Sequence, residues 1–296
     1  MSTTFWASAI VLCTGIFWGI YWLPVRAIAE LGLDGAWGTG AITLAAALFL
    51  LPGIIGGKRS FRDENPLGMA SILLGGAAFA LYSIGFLYGK VALVVLLWFF
   101  SPVWSVLIAR YVLRWHVPKL RLVAIAVGFA GLFIMLGGEG EIPLPDSLGE
   151  WMAFAGGLIW AVATAGMRLK SQVPPGSAAF LFAVGATATS FIFAPFLEPL
   201  PRIATADLVT VAGYVLLTGG VWWGLSIAAL MWATLRLDPA RVGILLMPEV
   251  IIGSLTAAMF AGESLAPNEV IGGALVIFCG VLEVWPTRAK RQATAP

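Results

Sequence analysis

The sequence predicts an all-α membrane protein in which ten transmembrane helices form two inverted repeats of five helices around a central cavity. Of its residues, 60% are hydrophobic and 11% are charged, whereas a soluble domain usually carries about 25% charged residues. The apolar runs are long enough for helical spans of about 20 residues, roughly twice the length of a transmembrane β-strand. The net charge of +2 is too small to indicate a nucleic-acid partner.

Short linkers separate the ten apolar runs. The predicted spans cover residues 5–27, 36–55, 67–88, 92–113, 120–137, 150–169, 177–197, 208–233, 241–260 and 269–285. The loop over residues 137–150 is rich in glycine, proline and acidic residues, and it is the only plausible boundary between the halves. We therefore expect a first repeat over 1–140, a second, inverted repeat over 147–287 and a cytoplasmic tail over 288–296.

A short motif occurs in the first span of each half. It reads Gly-x-x-Trp-(Gly/Ala)-x6-Arg, and it covers Gly15–Arg26 with Trp18 and Gly157–Arg168 with Trp160. Because each half holds an odd number of spans, the second copy enters the membrane from the opposite side. An inverted repeat of this kind is typical of transporters whose site lies near the bilayer midplane, between the halves.

Lysine and arginine are divided unequally between the two sides of the membrane. With the N-terminus in the cytoplasm, 14 of the 17 fall in cytoplasmic segments, and only Arg26, Lys90 and Arg202 lie outside. The positive-inside rule therefore predicts that both termini are cytoplasmic. We expect Arg26 and Arg168 to extend to opposite surfaces and Lys90 to be a solvated residue of a turn.

A proline stands within the fourth span of each half, as Pro102 and Pro248. A proline removes one backbone hydrogen bond from a helix, and the result is either a simple kink or one of the paired discontinuities that indicate a transporter's binding site. Glycine pairs in the third and eighth spans offer further bending points. The residues that we expect to act as hinges are Gly75, Gly76, Pro102, Gly219, Gly220 and Pro248.

Glu249 follows Pro248 directly and is the only acidic residue placed deep in a span. A carboxylate at the bilayer centre is costly, so it faces the protein interior, pairs or is protonated. Two interpretations stay open: a proton-coupling or substrate-amine site, and a carboxyl hydrogen-bonded to the broken helix. The first half has Val103 at the matching place, so any coupling is carried by one half only.

Aromatic residues are plentiful, with 13 Trp, 18 Phe and 5 Tyr. Several lie in mid-span at helical spacing, which is more often a sign of packing than of a binding site. A midplane cavity lined by them would suit a flat, apolar or aromatic solute. The candidates for substrate binding are Trp18, Trp22, Phe79, Tyr82, Trp98, Ser101, Trp160, Trp223 and Met247.

Enzyme signatures are absent from the sequence, including Gly-x-Ser-x-Gly, the Walker loop, His-Glu-x-x-His and the dinucleotide fingerprint. The single histidine, His116, and two separated cysteines, Cys13 and Cys279, cannot build a metal site. We therefore expect neither an enzyme nor a cofactor. The expected partners are a small-molecule substrate and the lipid bilayer, with no obligate protein partner.

The ten spans, the repeated Trp motif and the prolines of the fourth and ninth spans resemble the EamA type of the drug/metabolite transporter (DMT) superfamily. Residues 247–281 are similar to a typical second EamA half, including Gly262-Glu263-Ser264, whereas Arg114-Trp115-His116 stands where Gly-Glu is usual in the first half. The FFSPVWS stretch is most similar to the YddG-type exporters of aromatic amino acids. This resemblance implies a ten-helix basket in the bacterial inner membrane that exports aromatic amino acids and some toxic cations by alternating access.

Three alternatives to an aromatic amino-acid exporter stay open at this point. The first is a transporter of another solute, such as a nucleobase, a threonine-like amino acid, a cationic drug or a sugar derivative. The second is a passive channel or facilitator, which would lack the saturation and counterflow of a carrier. The third is an intramembrane enzyme, which the lack of a nucleophile–base or metal pair disfavours.

Overall fold

The computed structural model describes residues 2–55, 64–114, 119–136, 144–234, 236–237, 242, 245–246 and 248–284, and all regular elements in these residues are helical. The α-helices are α1 (Thr3–Gly19), α2 (Trp22–Glu30), α3 (Gly35–Ile55), α4 (Pro66–Gly85), α5 (Val91–Trp98), α6 (Ser101–Leu107), α7 (Lys119–Leu136), α8 (Leu148–Lys170), α9 (Pro175–Leu197), α10 (Leu208–Thr218), α11 (Ser226–Thr234), α12 (Pro248–Phe260) and α13 (Pro267–Val284). Two π-helical segments, Ile108–Val112 and Gly219–Leu225, continue α6 and join α10 to α11. The candidate residue Met247, the loop over 137–143 and the tail over 288–296 lie outside the described residues.

Seven helical segments are long and apolar enough to cross a membrane. They are Thr3–Glu30, Gly35–Ile54, Pro66–Gly85, Val91–Val112, Leu148–Lys170, Pro175–Leu197 and Leu208–Ala233. Three shorter apolar helices cover Leu122–Met135, Pro248–Phe260 and Pro267–Leu282. Each of these segments coincides with a predicted span, so the structure confirms the all-helical, multi-pass class over the described residues. The count of ten spans stays a prediction.

The helices of the two halves contact one another in a reciprocal pattern. Helices α4 and α5 of the first half pack on α8 of the second half. Their counterparts in the second half, α11 and α12, pack in the same way on α1 of the first half. The pairs α3 with α9, α5 with α12 and α7 with α13 join equivalent helices of the two halves. Exchanging the halves therefore maps these pairs of helices onto one another, as expected for a repeat, and the inverted topology stays a prediction.

The repeated motif glycines lie where the halves pack closely against each other. A Cβ atom on Gly157 would stand 3.1 Å from the carbonyl oxygen of Trp98, and one on Gly15 would stand 3.0 Å from that of Leu246. Trp98 is four residues before Pro102, so its carbonyl is the one that this proline leaves without a helical partner. In each half, the motif glycine thus packs against the backbone just before the proline of the other half.

One helix breaks at a predicted hinge. Helix α5 ends at Trp98 and α6 begins at Ser101, one residue before Pro102. The description of α12 starts at Pro248, because the residue before it lies outside the described residues. Gly219 and Gly220 open the second π-helical segment. Gly75 and Gly76 lie inside the uninterrupted α4, where a Cβ atom on the second would overlap the carbonyl oxygen of a residue of α9. The hinge role of these six residues stays a prediction.

The two ends of the helix bundle differ in the residues that they carry. At one end, Arg26 contacts Glu263 and the turn that follows α4. At the other end, Gly68 approaches Lys170 and Ser171, next to Arg168. We refer to these as the Arg26 end and the Arg168 end.

Candidate functional site

A cavity of 130 Å³, the aromatic cavity, lies between the two halves. Five rings from five different helices form its walls: Trp18 of α1, Phe79 of α4, Trp98 of α5, Trp160 of α8 and Phe182 of α9. The other lining residues are Thr14, Phe99, Ser101, Ile227, Leu230, Met231, Leu246 and Glu249. The structure therefore brings together six of the residues proposed from the sequence, including the tryptophans of both motif copies.

Contacts between the rings hold the walls in place. The Phe79 ring lies edge-on to Trp18, with 4.6 Å between centroids, and to Trp98, with 5.2 Å. Trp98 stacks on Tyr82 at 4.8 Å and lies 5.8 Å from Trp160. Aromatic pairs of this kind contribute about 0.5–1.5 kcal/mol each beyond the area that they bury. The aromatic wall is therefore held by direct ring contacts that extend across both halves.

Glu249 lies in the first turn of α12 and is 6% exposed. The Tyr82 hydroxyl donates a hydrogen bond of 3.0 Å to its Oε1 atom, which joins α4 of the first half to α12 of the second. No lysine or arginine among the described residues pairs with this carboxyl. A buried carboxylate without a cationic partner is costly. The arrangement therefore favours either a proton on Glu249 or a cationic group of a solute beside it.

Three of the candidate aromatic residues stand behind the lining of the aromatic cavity. Tyr82 is fully buried and is engaged with Glu249. The Trp223 indole is 1% exposed and donates a hydrogen bond of 2.8 Å to the Tyr21 hydroxyl. The Trp22 indole donates to the Thr256 hydroxyl at 3.0 Å. These residues support the lining, and a direct contact with solute requires the cavity to change shape.

Two residues that the sequence reasoning missed are central to the site. Phe182 supplies the wall from α9, but no motif or spacing distinguishes it from the other phenylalanines of that span. The Tyr21 hydroxyl accepts from Trp223 and hydrogen-bonds Ser83 at 2.9 Å, and it lies at the break between α1 and α2. That break, at Ile20 and Tyr21, changes which residues of the first span face inward. A regular helical wheel therefore gives no signal for Tyr21.

The Arg26 end is closed by a network around the guanidinium of Arg26. Its Nη2 atom lies 3.0 Å from Glu263 Oε1, and its Nε–H donates to the carbonyl of Phe86 at 3.1 Å. Glu263 also accepts from the backbone N–H of Val91, at the start of α5. The guanidinium lies 5.2 Å from the Trp22 ring centroid. Arg26 is thus held by partners from three segments instead of extending to the surface.

A second ion pair lies beside the first. Lys90 Nζ is 2.9 Å from Glu269 Oε1, and this hydrogen bond raises the pKa of the Lys90 ammonium. The other carboxylate oxygen of Glu269 accepts from the N–H of Ala266 at 2.7 Å, just before α13. The side chain of Lys90 is half exposed. Lys90 is therefore a half-exposed residue of a turn, as expected, and its ion pair also ties the turn after α4 to α13.

The Arg168 end contains a wider cavity of 410 Å³, the Arg168 cavity. Its lining residues are Ile72, Thr164, Met167, Arg168, Ser171, Val173, Pro175, Ala178 and Met231. Met231 also lines the aromatic cavity, so the two cavities adjoin. The Arg26 end is therefore bridged by two ion pairs, and the cavity that adjoins the aromatic cavity lies at the Arg168 end.

The described helices are those of a multi-pass membrane protein, with a cavity between helices from the first and second parts of the chain. Residues 5–137 match the EamA-like transporter family, which agrees with the resemblance over the predicted first repeat. One solved crystal structure, titled only "Crystal structure of protein", has a TM-score of 0.60 and 16% sequence identity, and the similarity covers 94% of this chain and 98% of that one. At this identity the likeness shows the fold alone. No curated protein matches the chain. The family match supports a membrane transporter of small solutes.

Proposed function

We propose that the protein is a secondary transporter that exports aromatic or other hydrophobic amino acids and related small metabolites across the bacterial inner membrane by alternating access. The observation that carries this proposal is the aromatic cavity, whose rings come from both halves and surround Glu249 and Ser101. Rings on several sides select a flat apolar group by stacking and shape. The carboxyl and the hydroxyl would orient the polar end of the solute.

The volume of the aromatic cavity bears on how the solute is accommodated. Its 130 Å³ is smaller than the roughly 300–1,000 Å³ of a ligand pocket. The adjoining Arg168 cavity offers another 410 Å³. The solute would therefore enter from the Arg168 end and widen the aromatic cavity as it reaches the rings.

Alternating access follows from the inverted repeat and the closed Arg26 end. In an inverted repeat, the contacts that close one end have equivalents that close the other. The contacts between equivalent helices of the halves, the break before Pro102 and the π-helical segment that starts at Gly219 support a rocking of α4–α6 and α10–α12. The distribution of lysine and arginine favours a cytoplasmic location for the Arg168 end and both termini, so the proposal takes the described conformation as inward-facing.

Glu249 is the proposed coupling residue. In the described part of the chain, Tyr82 is the titratable side chain that contacts it, and the Tyr82 ring stacks on Trp98. A change in the proton occupancy of Glu249 would alter this hydrogen bond and, through Tyr82, the position of a cavity ring. The proposal therefore links a transmembrane proton gradient to the shape of the aromatic cavity through one pair of residues.

Counterflow in proteoliposomes tests the proposed function. Vesicles loaded with unlabelled phenylalanine receive labelled phenylalanine outside, with and without a pH gradient. We expect saturable accumulation of label by the parent protein, its loss in Trp98→Ala and Trp160→Ala, and its retention in Trp151→Ala, a matched control whose indole is exposed outside the cavity. Normal counterflow by both cavity variants would contradict the aromatic site, and label entry without saturation would indicate a passive facilitator.

A second solute class is favoured by one specific observation. A carboxyl surrounded by aromatic rings also suits a cation, because the rings attract positive charge through their faces and Glu249 supplies the counter-charge. A cationic aromatic compound is therefore the alternative cargo. Competition by such a compound, with no competition by phenylalanine, would assign the cavity to cationic drugs instead of amino acids.

A further inference from the structure

We propose that Arg168 forms a recruiting subsite for the carboxylate of the solute in the Arg168 cavity, at the cytoplasmic approach to the aromatic rings. This inference rests on the proposed function, because it needs an amino-acid solute that enters from the Arg168 end. The inference gives Arg168 a role that Arg26, the matching arginine of the first half, does not have.

The two motif arginines occupy matching positions but have different surroundings. Arg26 is held by the Glu263 carboxylate, the carbonyls of Phe86 and Gly89, and the Trp22 ring. Arg168 is exposed, and no acidic side chain pairs with it among the described residues. The Arg26 guanidinium thus already has a carboxylate partner and two carbonyl partners, whereas Arg168 has no carboxylate partner among the described residues.

The lining of the Arg168 cavity favours a negative charge. Arg168 is the one charged residue among the described residues that line it, and no aspartate or glutamate is included. The hydroxyl-bearing residues Thr164 and Ser171 also line the cavity. A cleft with one sign of charge raises the local concentration of the opposite charge. A carboxylate is therefore the group that this lining attracts, and the guanidinium can bind it through two parallel hydrogen bonds.

One face of α8 connects the subsite to the aromatic cavity. Trp160, Thr164 and Arg168 follow one another at intervals of four residues, so they share a face. Trp160 lines the aromatic cavity, and the other two line the Arg168 cavity. With a rise of 1.5 Å per residue, Arg168 lies about 12 Å along the helix from Trp160. The solute would bind first through its carboxylate and then advance about two turns to the rings.

Anionic lipid headgroups are the other source of a group that binds arginine near a membrane surface. The matched residue for that role is Lys170, which is exposed in the same last turn of α8 but does not line the cavity. Because Arg168 borders the space that leads to the aromatic cavity, we assign its ligand to the solute. The variant Lys170→Gln serves as the control for loss of a positive charge at this end of the helix.

The test compares two probes that differ only in the carboxylate, phenylalanine and phenylalanine amide. The full-length parent protein, Arg168→Gln, Arg168→Lys and Lys170→Gln are reconstituted in vesicles of phosphatidylcholine, with and without phosphatidylglycerol. We expect Arg168→Gln to raise the half-saturating phenylalanine concentration about tenfold, as for loss of a charge-assisted hydrogen bond, with no change for the amide. Arg168→Lys should recover part of the effect, and Lys170→Gln should match the parent.

The possible results separate the inference from the function on which it rests. An equal effect of Arg168→Gln on both probes, or an effect confined to vesicles with phosphatidylglycerol, would overturn the carboxylate subsite while leaving the proposed transporter intact. Transport of the amide alone by the parent would overturn the amino-acid cargo and the subsite together. Size-exclusion profiles of the variants show whether a loss of transport reflects a loss of folded protein.

Discussion

The ion pair between Arg26 and Glu263 should keep the Arg26 end closed, and the substitution Arg26→Gln tests this. The guanidinium contacts residues from two segments: Glu263 after α12, and Phe86 and Gly89 in the turn after α4. Opening of this end requires these segments to separate. The substitution removes the charge and the hydrogen bonds, while the Glu263 carboxylate keeps the backbone N–H group of Val91 as a partner.

The expected magnitude follows from the geometry. Two unit charges 3.0 Å apart attract by about 5.5 kcal/mol at an effective dielectric constant of 20, and desolvation and side-chain ordering offset much of this. The side chains are 28% and 13% exposed, so a net loss of about 1.5–3 kcal/mol is reasonable for a charged hydrogen bond. The open population at the Arg26 end should then rise by about tenfold to a hundredfold. The Lys90 side chain is 50% exposed, so its ion pair should contribute at most about 1 kcal/mol, as for a surface pair. Removing the Lys90 charge should therefore raise the open population by about fivefold or less.

Cysteine labelling measures this population. Ser101→Cys places a thiol in the aromatic cavity of a protein that also carries Cys13→Ser and Cys279→Ala, and a membrane-impermeant maleimide is added from the Arg26 side. We expect labelling at least about tenfold faster in Arg26→Gln than in the parent, and a smaller increase in Lys90→Gln. Labelling after denaturation shows that every variant carries the thiol. An unchanged rate in Arg26→Gln would refute the reasoning, because the ion pair would then not hold the closed state.

Three further outcomes are expected. Gly76→Ala should lower the free energy of unfolding in detergent by at least about 2 kcal/mol, because the added Cβ atom overlaps the backbone of α9. Gly213→Ala is the control: its added Cβ atom has no neighbour within 4 Å, so the substitution should be neutral or stabilising in a thermal-unfolding assay. Tyr82→Phe keeps the ring but removes the hydroxyl that donates to Glu249, so transport should persist in counterflow and lose its dependence on a pH gradient; full retention of that dependence would contradict the coupling pair. Burial raises the pKa of Glu198, which follows α9, so the charged form weakens the fold as the pH rises through that pKa. Glu198→Gln should therefore unfold at a higher temperature than the parent near neutral pH and at the same temperature below the ordinary glutamate pKa.

The helices follow from the sequence because a bilayer imposes both length and composition on a span. Each long or short apolar helix lies at a predicted position, with ends that differ by a few residues, as in Pro66–Gly85 for the predicted 67–88. Trp18 and Trp160 could be placed at the cavity because the motif sets each one turn after a glycine that packs on the other half. The pattern of residues within each span was therefore sufficient to predict both the helix positions and the placement of these two tryptophans.

The remaining features depend on contacts between distant segments and could not be predicted in this way. Arg26 and Glu263 are 237 residues apart, and no pattern in either segment indicates the partner. Trp22 was expected to bind substrate together with Trp18, but α1 ends between them, and the Trp22 indole donates to Thr256 instead of lining the cavity. A break in a helix redirects every side chain after it, so errors of this kind follow directly from assuming a regular helix.

The acidic residue that pairs with the motif arginine also explains why one end should be closed in the absence of solute. An inverted scaffold makes two conformations accessible, and a small free-energy difference decides which one dominates. Glu263 provides that difference at the Arg26 end, whereas the sequence has Arg114-Trp115-His116 where the resemblance leads one to expect an acid at the other end. A single net contribution of about 1.5–3 kcal/mol is enough to favour the inward-facing form at least about tenfold. The same difference between the halves leaves Arg168 without an acidic partner among the described residues. The absence of an acid at residues 114–116 would therefore account both for the missing ion pair at the Arg168 end and for the carboxylate subsite that we propose at Arg168.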